Sequence, residues 1–324
     1  MRKEWMPHVE KLKNRTYVYV TSGILAQNTP AIVVGDDCAM ALDVTAHARS
    51  TAEFAMCVRS EIGKKPIRYM FLTHQHGDHI MGAAGISEAV VICARKLEPL
   101  MEERRGRDPV GMELIRVETD GGDRVPRPDI LFDKSMTVEL GNCRVELMEL
   151  GHAHTPTDSI AYIPSEGIVA CGDLFYNYVI PDGNQCLIEN WLTAIDRILS
   201  LDADTYIPGH GPVGTREEVL ECRRYIQYVA DRAREAARRG DDLYEAIMRT
   251  DLREWDDWLE PGRLASLFDV AYRVYLGQDP VADLPDWDLN ECIDEIRIKH
   301  GLPRASLYIP TKKYPYFRRN DKNA

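Results

Sequence analysis

Residues 73 to 79, THQHGDH, put three of the chain's nine histidines and one aspartate into six consecutive positions. A lone histidine is most often a hydrogen-bonded structural residue, so it is the spacing here that carries information. In H-x-H-x-D-H, His74 and His76 stand two residues apart and can approach one ion, while Asp78 and His79, around the flexible Gly77, point to the neighbouring space. Such a density of imidazole and carboxylate suits zinc or a similar transition metal. The run leading in, PIRYMFLTH (66–74), is β-branched and aromatic, which sets the cluster at the end of a strand. Four ligands do not fill two metal sites, so a two-metal centre requires more histidine or aspartate at other strand ends. The chain supplies them: His154 follows CRVELMEL, Asp173 ends the strand that closes on CGD, and His210 sits in IPGHG.

The surrounding pattern alternates strands and helices. TYVYVTS (16–22), PAIVVGDD (30–37) and CAMALDVT (38–45) are β-rich runs ended by small or acidic turn residues. TAEFAMCVRSEIG (51–63) carries Phe54, Ala55, Val58 and Ile62 at helical spacing; a short helix, the strand AVVICARK (89–96) and a helix over 97–104 follow the cluster. Residues 104–130, broken by Pro, Gly and mixed charge, read as a surface excursion. The second half repeats the scheme. KSMTVEL (134–140) and CRVELMEL (143–150) flank a Gly-Asn hairpin turn, SIAYIPSEGIVACGD (159–173) gives two more strands, and NWLTAIDRILSL (190–201) sets Trp191, Ile195, Ile198 and Leu199 on one helical face. After the brief strand in TYIPGHG, a Thr215-x-x-Glu218 capping box opens a helix that closes on Gly240. Further helices are predicted in DDLYEAIM, ASLFDVAYRVYL and NECIDEIRIKH, ahead of a basic, aromatic tail, KKYPYFRRN, read as a solvated or dimer-packed end. Two halves, each of strands followed by a helix, predict two packed sheets with helices outside.

Composition narrows the function classes. Fifty-two acidic against forty basic side chains give a net charge of −12, which repels phosphate backbones, so no nucleic-acid partner is expected. No stretch approaches the roughly twenty apolar residues of a membrane span, and MRKEWMPHVEKLKNR has no apolar run of a secretory signal behind it. The eight cysteines are scattered without a C-x-x-C pair, which reads as reduced, mostly buried thiols in a cytoplasmic protein.

Taken together, THQHGDH (73–79), GHAHTP (151–156), CGD (171–173) and PGHG (208–211), in that order, resemble the metallo-β-lactamase-fold hydrolases, with a glyoxalase-II-like ligand set. The resemblance covers about residues 15 to 215. It implies an α/β four-layer αββα sandwich with the metals at one edge of the two sheets: a catalytic domain over 1–214, and a helical C-terminal extension, 215–324, packed on it or at a dimer interface. By the resemblance His74, His76 and His154 hold one metal, Asp78, His79 and His210 the other, and Asp173 bridges them. Where the family has one histidine this chain has two, His152 and His154. His154 is assigned as the ligand because Thr-Pro follows it, and His152 is placed outside the ligand set. More narrowly, LFYN after Asp173 and the PGHGPVG turn are similar to a bacterial subgroup labelled quinoprotein-relay or cyclase-like hydrolases, labels that fix no substrate.

The expected chemistry follows from such a centre. Two divalent ions about 3.5–4 Å apart share a water and lower its pKa from about 16 toward neutrality, giving a bridging hydroxide as nucleophile. Two zinc ions are expected per chain, with iron or manganese as alternatives. The substrate is a small-molecule ester, lactone, amide or similar bond, with Asp78 and Asp173 as the catalytic carboxylates and Asp78 also a candidate proton relay. Asp43, ending CAMALDVT, is a candidate acceptor for a ligand imidazole N–H, equally readable as a turn aspartate. Tyr176, Asn177 and Tyr178 follow Asp173 and are candidate substrate contacts. The rival readings are a mononuclear iron oxygenase of the persulfide dioxygenase kind, a nuclease, and a non-catalytic binding protein; intact ligands for two metals, the acidic balance and the undamaged ligand set weigh against them in turn. A homodimer is expected.

Overall fold

A computed structural model describes residues 7–21, 28–106, 124–279, 289–302 and 304. Most of the excursion predicted over 104–130 and the KKYPYFRRN tail lie outside the described residues. Seven strands form the first sheet in sequence order: β1 (His8–Leu12), β2 (Thr16–Val20), β3 (Ala31–Val34), β4 (Ala39–Leu42), β5 (Ile67–Leu72), β6 (Val90–Ala94) and β7 (Ile130–Phe132). Pairing is antiparallel from β1 to β4 and parallel from β4 to β7. The change of sense follows from the connections, because parallel neighbours require crossovers. α1 (Ala48–Ile62) links β4 to β5, and the short helix α2 (Gly77–Ile80) with a 3-10 turn, Met81–Ile86, links β5 to β6. α3 (Leu97–Gly106) follows β6.

The second sheet has the order β12-β11-β10-β9-β8, from β8 (Ser135–Glu139), β9 (Arg144–Gly151), β10 (Asp158–Ile163), β11 (Ile168–Ala170) and β12 (Thr205–Ile207). Its β8–β9 hairpin turns through Gly141 and Asn142, whose φ values of 80° and 52° suit a tight hairpin turn. α4 (Ile188–Leu199) lies between β11 and β12, and α5 (Arg216–Arg239), α6 (Leu243–Arg249), α7 (Leu264–Tyr275) and α8 (Leu289–Lys299) complete the chain.

Strand periodicity sorts the side chains into layers. Met40 and Leu42 face the second sheet and pack with Val145, Leu147, Ala161 and Ile163, whereas Ala39 and Ala41 face the other way, against Phe54, Ala55 and Val58 of α1. On the second sheet, Ile160 and Tyr162 point outward to Trp191, Ile195 and Ile198 of α4. The result is helix, sheet, sheet, helix, the four-layer order that the sequence resemblance implied. The helices after residue 214 share this outer core: Tyr225, Ile226 and Val229 of α5 and Leu267, Phe268 and Ala271 of α7 belong to the same buried cluster as α4. α5 is capped as the sequence predicted, with the reciprocal Thr215–Glu218 box at one end and Gly240, in the left-handed conformation, at the other. Seven of the eight cysteines are buried, Cys57 is exposed, and all are free. No described helix is long and apolar enough to cross a membrane.

Candidate metal centre

The strand ends deliver the cluster. β5 stops at Leu72, and the next residue is fixed twice by one carboxylate: Thr73 N–H donates to Asp43 Oδ1 at 2.8 Å and its hydroxyl donates to Oδ2 at 2.8 Å. That hydroxyl has one hydrogen, already given to Asp43, so across the 2.9 Å to His74 Nδ1 it can only accept. His74 therefore carries its proton on Nδ1 and presents a lone pair on Nε2. The same carboxylate lies 2.9 Å from His79 Nδ1, which it can only accept from, so His79 also presents Nε2. Asp43 sits at φ 55°, a left-handed conformation that aspartate tolerates better than most residues. It is both the strand-end turn residue and the imidazole acceptor that the sequence left open.

The second sheet brings the rest. Asp158 ties the 153–155 loop, accepting from Ala153 N–H at 3.2 Å, Thr155 N–H at 2.9 Å and the Thr155 hydroxyl at 2.7 Å, and so aims His154 inward. Asp173 leaves β11 in the 3-10 turn Gly172–Leu174. Gly209 must pass close beside it, since a Cβ there would come within 1.9 Å of Asp173 Oδ1. His210 follows, pinned by Asn177 N–H donating to its carbonyl at 3.0 Å. Asn28, which the sequence did not single out, donates its amide to the carbonyls of Asp78 at 2.6 Å and Val44 at 2.7 Å.

All seven expected ligand side chains converge, in two groups that share Asp173. Its Oδ2 lies 3.5 Å from His74 Nε2, 3.9 Å from His76 Nδ1 and 3.3 Å from His154 Nε2. On the other side, His79 Nε2 is 3.1 Å from Asp173 Oδ1, and His210 Nε2 is 3.4 Å from both Asp173 Oδ2 and Asp78 Oδ2. Donor atoms of His74, His76, His154 and Asp173, and separately of Asp78, His79 and His210, all lie within 4.8 Å of one another.

His74 Nε2, His79 Nε2 and Asp173 Oδ1 are buried without a hydrogen-bond partner. An unsatisfied buried polar atom costs about 1–3 kcal/mol, so three at one point fit a bound cation as their common partner. The donor set, five imidazoles and two carboxylates, suits zinc and its neighbours in the first transition row.

Electrostatics point the same way. Burial, reinforced by the neighbouring His79, holds His74 well below the usual imidazole range. For His79 burial acts downward too, but the carboxylates of Asp173 and Asp78 overcome it and hold the ring well above that range. Burial would raise Asp173, yet His210, His79 and His74 bring it well below the usual carboxylate range. Asp78, against the same penalty, is lowered to about 2 by His79 and His210.

The remaining candidates separate. Tyr176 is at the centre: its hydroxyl donates to Asp173 Oδ2 at 2.7 Å and its ring stacks on His210 at 5.0 Å. Asn177 donates its amide to Pro212 O at 2.9 Å, and Tyr178 packs edge-on against Trp258 at 6.2 Å. His152 is not brought to the ligand atoms; its Nε2 meets the carbonyl of Gln185 at 2.7 Å. Trp191, expected in the core, is buried there and also backs the centre, its ring 5.0 Å from that of His154. Thr73 and Asp158 were missed by sequence reasoning, although each flanks a motif histidine at a strand boundary. Arg263, whose guanidinium carbon stands 5.9 Å from the Tyr176 ring, gave no sequence signal at all.

Comparison with known proteins agrees with this geometry. Residues 24–210 match the family model described as the metallo-beta-lactamase superfamily. The chain is 27% identical over 247 residues to the 2,4-dinitroanisole O-demethylase subunit alpha of a Nocardioides species, spanning 74% of this chain and 69% of that protein. It is 25% identical over 171 residues to the beta-lactamase-like protein 2 homolog of Caenorhabditis elegans, spanning 52% of this chain and half (50%) of that protein. Among solved structures, the metallo-beta-lactamase from Pontibacter korlensis superposes with a TM-score of 0.57 at 18% identity, covering 68% of this chain and 99% of that one.

Proposed function

Because the chain belongs to the metallo-beta-lactamase superfamily, we propose that it is a metal-dependent hydrolase of a small-molecule ester, lactone, amide or similar bond, holding two zinc ions per chain. One observation carries the reading: a single buried carboxylate, Asp173, lies between two groups of inward-facing donor atoms, within 3.5 Å of His74 and His154 on one side and of His79 and His210 on the other, with both tautomers on the β5 side set by Asp43. His74, His76 and His154 would hold one ion, Asp78, His79 and His210 the other, with Asp173 reaching both. When bound, such ions supply a water acidified toward neutral pKa and Lewis-acid polarisation of the bond under attack.

The chain's own residues do the rest. Asp43 and Thr73 keep two imidazoles in the ligating tautomer. Tyr176 donates to the oxygen of Asp173 that faces four histidines, so it fixes that carboxylate's rotation and covers the His210 ring. A carboxylate with a pKa of about 2 stays ionised through the neutral range, which suits Asp78 to holding a cation more than to carrying a proton. One relative is named as the alpha subunit of a 2,4-dinitroanisole O-demethylase, which adds aryl methyl ethers to the substrates worth screening.

The test is metal content by mass spectrometry on protein purified without chelator or added metal, alongside turnover of an ester, lactone, amide and aryl ether panel. About two zinc ions per chain with hydrolysis is the expected result. One iron per chain, with oxygen consumed in the presence of a thiol substrate, would replace this reading by the oxygenase.

A further inference from the structure

Arg263 has no part in holding the seven-residue cluster, yet it stands beside it. It ends the 3-10 turn Pro261–Arg263 that opens α7, beyond the residues matched by the family model. Its guanidinium lies over the ring of Tyr176, 5.9 Å from the centroid, and that tyrosine's hydroxyl is 2.7 Å from Asp173 Oδ2. One aromatic ring therefore separates the cation from the carboxylate at the middle of the centre. Stacking on a tyrosine face contributes about 0.5–2 kcal/mol, too little to replace the hydration of a guanidinium.

The carboxylates near Arg263 are engaged elsewhere. Asp182 accepts from the Ser266 hydroxyl at 2.7 Å on one oxygen and from the Asn184 amide at 2.9 Å on the other. Glu260 is paired with Arg297. Among the described residues Arg263 forms no ion pair, and its Nη1 is buried with no hydrogen-bond partner while the residue as a whole is only half-buried. Burial works against the charge and Tyr176, Asp182, Glu260 and Asp173 offset it through space, but the enclosed Nη1 still lacks an acceptor, which is costly. A metal-loaded centre next door would add to that cost, because cations repel. The group that relieves both is an anion entering from solvent, and a guanidinium fork matches a carboxylate through two parallel N–H donors.

We propose that Arg263 is the specificity residue of this site, binding a carboxylate on the substrate at the far side of Tyr176 from the bond that is cleaved. This rests on the hydrolase reading above and narrows it to anionic small molecules. Its consequence is a division of labour: the first 214 residues hold the reacting end of the substrate, and the turn before α7 holds its charged end.

Two measurements on metal-loaded full-length protein test it. The first compares kcat/KM for mono-4-nitrophenyl glutarate with that for 4-nitrophenyl butyrate, which share a leaving group and differ in the carboxylate. Wild type should prefer the glutarate by about tenfold or more, Arg263→Gln should bring the ratio close to one, and Arg263→Lys should fall between. A wild-type ratio near one, or an unchanged ratio in Arg263→Gln, overturns the proposal. The second is calorimetric titration with glutarate. Carboxylate binding at the metals is common to wild type and variants, so a roughly tenfold weaker binding in Arg263→Gln reports the arginine alone, and equal affinity overturns the assignment. If neither ester turns over, the hydrolase reading fails while the titration still decides for or against Arg263. Should Arg263→Gln not fold, Arg263→Lys carries both comparisons, with the same ratio and affinity as wild type as the overturning result.

Discussion

Asp43 Oδ2 lies 2.9 Å from His79 Nδ1 and accepts, on the same oxygen, the hydroxyl hydrogen of Thr73, which in turn faces His74 Nδ1 at 2.9 Å. A single carboxylate outside the ligand set thus controls a histidine in each of the two groups. Asp43→Asn keeps the shape and tolerates the left-handed backbone but removes the charge. Metal affinity should fall about 10–100-fold while the fold is retained, as read by chelator competition and circular dichroism. Unchanged affinity for both ions would show that these tautomers are set by something else.

Asp173 stands within 3.5 Å of His74 and His154 on one side and of His79 and His210 on the other, whereas His76 belongs to one group. Asp173→Asn should therefore lower the metal stoichiometry of both positions and His76→Ala that of one. Turnover in either should drop by at least about a thousandfold, with the protein still folded. Wild-type turnover in either variant would sink the two-metal reading.

His152 and His154 are two residues apart and have different surroundings. Nε2 of His154 is 3.3 Å from Asp173, while that of His152 meets a backbone carbonyl. His154→Ala should cost far more activity and metal than His152→Ala. The reverse order would reassign the ligand.

Gly209 admits no side chain. The added Cβ of Gly209→Ala would fall 1.9 Å from Asp173 Oδ1, and the peptide or the carboxylate would have to move. Displacement of about 1 Å at a reacting centre costs on the order of a hundredfold, so activity should collapse, and because the Cβ also meets backbone atoms of Gly172 and Asp173 at 2.8 and 2.9 Å the melting temperature should fall as well. Full activity in this variant would mean that the loop yields freely.

Proton release should accompany metal binding. Burial works against the charged form of His79, but Asp173 and Asp78 hold its pKa well above 6.5, so the ring is protonated at neutral pH until a cation takes its place. Affinity should then rise with pH, by up to about tenfold per unit for each proton displaced. Calorimetry in buffers of different ionisation enthalpy measures this directly, and a buffer-independent heat at pH 7 would contradict it.

The residues visible from sequence were those whose chemistry is local. THQHGDH is dense enough to be seen without its neighbours, and the short apolar runs in CAMALDVT and SIAYIPSEG mark strands that are buried on both faces. β1 was not predicted because HVEKL alternates no apolar side chains and only Leu12 is buried; its pairing to β2 makes it a strand. β7 is three residues long and lies at the end of the stretch read as an excursion, so neighbouring β6 and not its own pattern defines it. Long-range polar partners were equally hidden. Nothing near residue 28 says that its amide will hold Asp78, and nothing in PGRLAS says that an arginine will reach Tyr176 from eighty-seven residues further on in the chain.

The centre draws on both sheets: His74, His76, Asp78 and His79 follow β5, while His154, Asp173 and His210 follow β9, β11 and β12. Whatever cation occupies it acts as a rivet through the sandwich at one edge. Sliding or splaying the sheets apart must first strip ligands from that rivet, whereas the opposite edge is closed by weaker ties, Asp36 and Asp37 N–H to the carbonyls of Gly141 and Leu140 and the Lys13–Asp204 ion pair. Under mechanical pulling or slow proteolysis the molecule should therefore come apart as a hinge, from the far edge inward, with the metal-bearing rim the last to give way.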